Sequence, residues 1–178
     1  MPAYCTSRVL VLGCGNRLFG DDGFGPAVIE YLTAHYEIPD GVYVMDVGTG
    51  VRKLLFTLSV SPELPDTIFV LDAVDKGKAP GEIFEIVLDD IPSEKSEDFS
   101  LHLSPSSNLA KELEQRGVRV RVLACQVESV PPSVEVGLSE AVGQAVQRVC
   151  EVVARELGLK EPLTLTPGPS PDSGEGRS

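Results

Sequence analysis

A chain of 178 residues with 42% hydrophobic residues can fill one substantial core, whereas its net charge of −12 argues against nucleic acid, whose binding needs clustered Lys and Arg. The absence of an 18-residue apolar run argues against a bilayer span, and scattered Cys5, Cys14, Cys125 and Cys150, without a C-x-x-C pair or a secretory signal ahead of them, read as reduced cytoplasmic thiols. With only two histidines, a structural zinc site is not expected.

In chain order, residues 8–13 predict a strand that runs into a turn with glycine at 13, 15, 20, 23 and 25 and adjacent carboxylates at Asp21 and Asp22. Pro26 suits the first turn of the helix that follows. Val28, Leu32, His35 and Tyr36 share a face of that helix, so His35 is expected to be packed or partly exposed. Residues 42–46 predict a second strand, 51–58 a short helix, and 67–72 a third strand closed by Asp72. The fourth strand, 82–88, follows too soon after Asp72 for a parallel crossover and is expected to be an antiparallel edge. Residues 89–100 are polar and acidic and read as a loop leading to His102.

Ser104 as N-cap, Pro105 at the first helical position and Gly117 as the stop mark the next helix. A fifth strand, 118–125, precedes a last helix with a stripe of Leu138, Val142, Ala145, Val149 and Val152. The alternation predicts an α/β fold: a three-layer α/β/α sandwich around a mostly parallel, five-stranded twisted sheet. The domain is expected over residues 1–160, and the Pro, Gly and Ser content of 161–178 reads as a disordered tail without a catalytic role.

In open α/β sheets the site lies outside the carboxyl ends of the strands, where Asp22 and Asp72 both fall. His102 precedes a helix start, whose positive potential favours the neutral imidazole that a metal needs. Two carboxylates and an imidazole suit a borderline divalent ion such as nickel or zinc. Taken singly, an Asp after a strand is more often a turn former. Asp21 is expected to orient or cap the loop, Asp75 to shape a turn, and Asn16 to satisfy loop backbone groups. No G-x-S-x-G is present for a serine hydrolase. A dinucleotide loop is begun by Gly13-Cys14-Gly15, but Leu18 stands at the sixth position, and Asp21 and Asp22 would repel a phosphate.

The run Gly13-Cys14-Gly15-Asn16-Arg17-Leu18-Phe19-Gly20-Asp21-Asp22-Gly23-Phe24-Gly25 resembles the maturation endopeptidases of nickel-iron hydrogenases. Leu71 to Asp75, Pro80-Gly81, His102 with Pro105 and Leu109, and Gly137-Leu138-Ser139 extend the resemblance across most of the chain. It implies a peptidase that removes a C-terminal extension from a hydrogenase large-subunit precursor after nickel insertion. Asp22, Asp72 and His102 occupy the family's metal-contacting positions and would serve both contact and catalysis, although some members carry Glu where this chain has Asp22. The resemblance further implies that nickel is carried by the substrate, and the glycine spacing looks most like the branch serving deazaflavin-reducing hydrogenases. A cytoplasmic monomer with no membrane partner is expected. The alternatives are a non-catalytic chaperone that docks on the precursor and reads its metal, or a nucleotide-binding module.

Overall fold

Side chains along β1 (Val9–Cys14) alternate between two sides that are both apolar, the pattern of a strand covered on both faces. Leu10, Leu12 and Cys14 pack with Leu54, Leu55 and Leu58 of α2 (Val51–Ser59) and with Ala110 and Leu113 of α3 (Ser107–Gln115). Val11 faces the other way, toward Phe24, Val28 and Leu32 of α1 (Phe24–His35) and Val142, Val149 and Val153 of α4 (Glu140–Leu157). Two helices on each face of one sheet make the expected three-layer sandwich. The computed structural model describes residues 3–91 and 106–162. His102, Ser104, Pro105, most of the loop expected at 89–100, and all but Glu161 and Pro162 of the expected tail lie outside the described residues.

The sheet order is β2 (Val42–Gly48), β1, β3 (Thr67–Val74), β5 (Arg119–Gln126), β4 (Ile83–Ile86). β1 runs parallel to β2 and β3, and β3 parallel to β5. β4 is the antiparallel edge that the short connection demands. It is shorter than the 82–88 run suggests, because its ladder with β5 stops at Ile86 and residues Leu88–Asp90 close into a 3-10 turn. β3 is longer than expected: β5 keeps pairing through Ala73 and Val74, so Asp72 lies within the strand rather than at its end. α3 runs from Ser107 with Ser106 as its N-cap, and the Ser104 and Pro105 signals fall outside the described residues. Leu138 precedes the N-cap Ser139 of α4, and that helix stops at Gly158 with φ of 64°.

From β1 the chain crosses to β2 on one side, and β3 then adds on the other, so the topological switch point lies between the carboxyl ends of β1 and β3. α1 starts directly over that point. A Cβ at Gly25 would stand 2.2 Å from the carbonyl oxygen of Cys14 and 2.5 Å from that of Leu71, so only glycine lets the helix approach both strands. Among the described residues no helix is long and apolar enough to cross a membrane.

All four cysteines are buried and unpaired. Burial pushes the thiols of Cys125 and Cys150 up from 9.0 to about 12. Each thiol therefore contributes to stability in full below the unfolded value near 9 and loses that contribution as pH rises from there toward 12. The expected slope is about 1.4 kcal/mol per pH unit for each thiol. Urea midpoints measured between pH 8 and pH 10.5 should fall, and the slope should shrink in Cys125→Ala/Cys150→Ala; an unchanged slope in that variant would contradict the assignment.

Candidate functional site

Gly13 pairs with Leu71 in the β1 to β3 register, so the next residues on the two strands are Cys14 and Asp72. Side-chain alternation puts Asp72 on the same face as Val70 and Val74, beneath α2 and α3. Its carboxylate is fully buried, and Oδ1 accepts the Ala73 amide at 2.9 Å. Burying a carboxylate in that position is costly unless it is hydrogen-bonded or paired, and a position that bears such a cost is a candidate functional one.

Asp22 reaches the same end of the sheet by the turn after β1. Gly15, at φ 129°, gives its amide to the Gly48 carbonyl, and Asn16 gives its amide to both the Asp22 carbonyl (3.1 Å) and Asp22 Oδ2 (2.9 Å). Asn16 Oδ1 accepts the Leu18 amide at 3.0 Å, the loop-satisfying role expected of it. Arg17 fastens the turn to α1, pairing with Glu30 and donating to the Pro26 carbonyl at 3.0 Å. Asp22 is left half-buried at the rim.

Cys14 lies between these groups. Burial first, then the carboxylates of Asp72, Asp46 and Asp22, hold its thiol well above the usual range, so it stays neutral and is no nucleophile. Asp46, near the end of β2, was not singled out from the sequence. Its signal was available, since it closes a predicted strand at the same end of the sheet as Asp72. One Asp46 oxygen accepts the Gly48 amide at 2.9 Å, and the other lies 3.8 Å from Arg17 Nε.

Asp21 turns away from this group. It is 1% exposed and accepts from the amides of Glu128 (2.8 Å), Ser129 (3.2 Å) and Ser139 (2.7 Å) and from the Ser139 hydroxyl (3.0 Å). Ser139 in turn caps α4 through the Val142 amide. One carboxylate thus ties the glycine turn to the start of the last helix, which is the orienting role expected of it. Asp21→Ala would remove the shared acceptor of three part-buried amide bonds together with a buried carboxylate, and should cost about 3 to 5 kcal/mol, or roughly 6 to 20 °C in melting temperature. A loss of under about 2 °C in a thermal melt would contradict this role.

Asp75 shapes the β3 to β4 turn, accepting from the Gly77 amide at 3.3 Å and from Gln126 Nε2 at 3.0 Å. His35 is exposed, stacked on Tyr31 at 3.9 Å with Nδ1 3.0 Å from the Tyr31 carbonyl oxygen, and has no place in the site. Among the described residues no three His, Cys, Asp or Glu side chains are grouped to hold an ion. Asp22 and Asp72 lie at the switch point, and His102, the expected third member, lies outside the described residues.

A family model described as hydrogenase maturation protease matches residues 26–156. The chain is 39% identical over 150 residues to a provisionally named hydrogenase maturation protease of Methanocaldococcus jannaschii, covering 84% of this chain and 96% of that one. It is 34% identical over 159 residues to coenzyme F420 hydrogenase subunit delta of Methanothermobacter thermautotrophicus, covering 87% and 98%. Among solved structures, the hydrogenase maturating endopeptidase HybD of E. coli superposes with a TM-score of 0.69 at 27% identity, covering 86% of this chain and 96% of that one.

Proposed function

The chain belongs to the hydrogenase maturation proteases and is a peptidase, and from that premise we propose that it removes the C-terminal extension of a nickel-iron hydrogenase large-subunit precursor once nickel is in place. The observation that carries this reading is the pair of carboxylates, Asp22 and Asp72, brought to the switch point around one buried neutral thiol. Carboxylate oxygens with an imidazole from His102 suit nickel, and in this reading, which follows the family resemblance, the ion arrives held by the precursor as part of the substrate. The fully buried Asp72 is fixed by its backbone amide contact, while half-buried Asp22 stands at the rim where a polypeptide arrives.

Hydrolysis needs a water to add to the scissile carbonyl, a base to take its proton, and an acid to return one to the leaving amine. A carboxylate at the rim supplies the first transfer and, once protonated, the second. The similarity to an F420 hydrogenase subunit supports a substrate among the deazaflavin-reducing hydrogenases. A cytoplasmic monomer accords with a precursor processed where it is made. Incubation with the same precursor in nickel-loaded and nickel-free form tests metal reading. Cleavage of the loaded form alone is expected; equal cleavage of both would refute it.

A further inference from the structure

We propose that the cleft between the N-termini of α2 and α3 is a second substrate subsite, which takes an acidic side chain flanked by apolar ones from the polypeptide being processed. This deepens the proteolytic reading above and rests on it for the identity of the occupant. The cleft encloses about 710 Å³ and is lined by Gly50, Arg52, Lys53, Phe56, Ser106 and Leu109, among others. That volume suits a few residues of an extended peptide.

Charge selects the class of ligand. Asp and Glu outnumber Lys and Arg by 27 to 15 over the chain, yet neither Arg52 nor Lys53 has an ion-pair partner among the described residues. Both stand in the first turn of α2, which carries no acidic residue, although a helix start disfavours cations and favours carboxylates. A local preference broken in this way, without a compensating contact, marks a functional position.

The two helix starts add to the same field. Gly50 caps α2 without a side chain. Ser106 is the N-cap of α3 but makes no side-chain capping bond, and its hydroxyl oxygen is buried without a partner. Amide dipoles from two helices and two unpaired cations therefore face one cavity that holds no acid of its own among its lining residues. Phe56, 58% exposed, and half-buried Leu109 give apolar walls for the neighbouring side chains.

The cleft opens at the same end of the sheet as the carboxylates. Gly48 pairs with Cys14 in the β1 to β2 register, Gly50 lies two residues further on, and Asp72 faces the same α2 and α3 layer.

The test uses the full-length, nitrogen-15-labelled protein and three probes: acetyl-Leu-Glu-Leu-Glu-amide, its Gln counterpart acetyl-Leu-Gln-Leu-Gln-amide, and sodium acetate. The Glu peptide should shift the amides of residues 50–54 and 106–109 saturably. The Gln peptide should bind about tenfold more weakly, and acetate at equal concentration should leave them in place. Arg52→Gln/Lys53→Gln should weaken the Glu peptide about tenfold while keeping the rest of the spectrum, and should raise KM for the precursor by a similar factor with little change in kcat. Equal binding of the two peptides, shifts confined to other residues, shifts by acetate equal to those by the Glu peptide, or an unchanged KM would overturn the proposal. The peptide titration needs no cleavage, so its failure refutes the cleft alone. If the unaltered protein cleaves no precursor, the proteolytic reading falls, and the identity of the occupant falls with it.

Discussion

Asp22→Ala should lower precursor processing by about 10² to 10⁴-fold while leaving the fold intact, because the variant removes a rim carboxylate proposed both to contact substrate nickel and to move the proton. Asp22 Oδ2 accepts the Asn16 amide at 2.9 Å, and after truncation that amide keeps its contact to the Asp22 carbonyl at 3.1 Å. A loss of about 1 kcal/mol, or roughly 2 to 4 °C, is therefore expected. Single-turnover assays and a thermal melt on the same sample separate the two effects. Processing within about tenfold of the unaltered protein would remove Asp22 from the chemistry.

Gly15→Val should produce the opposite balance, with stability lost first and activity lost as a consequence. A Cβ at this position would lie 1.9 Å from the Asp22 carbonyl oxygen, and φ of 129° is a region that branched side chains avoid. The clash is with backbone, so no side-chain rotation relieves it. The turn must open, releasing the Asn16 bonds that hold Asp22, at a cost of roughly 3 kcal/mol or more. A melting temperature lowered no further than that of Asp22→Ala would show that the turn tolerates the substitution and that its geometry does not hold the site.

Much of this architecture is written locally. Five β-branched runs became five strands in the expected places, and the short link from Asp72 to Glu82 required the antiparallel edge that β4 forms. Gly117 at φ 93° and Gly158 at φ 64° stop their helices because only glycine enters that region cheaply. Boundaries set by partners were not legible. β3 runs on past Asp72 because β5 continues beside it, and β4 ends early because its ladder does.

The site divides in the same way. Asp22 and Asp72 follow from strand ends and the switch-point rule, which needs only the order of elements. The bonds of Asp21 to Glu128, Ser129 and Ser139 span more than a hundred residues, and nothing in its own neighbourhood names those partners. Asp46 joined the group around Cys14 only through the pairing of β2 with β1. Arg52 and Lys53 of α2, which have no ion-pair partner among the described residues, meet the start of α3 across one cleft, a juxtaposition that no local pattern carries.

Intact-mass spectrometry of a nickel-loaded large-subunit precursor, before and after incubation with the protein, tests the central claim most directly. The expected result is a single discrete loss of mass equal to a C-terminal peptide, accompanied by that peptide, and absent with Asp22→Ala. A precursor of unchanged mass held in a stable complex would instead describe a chaperone and would contradict the proteolytic account.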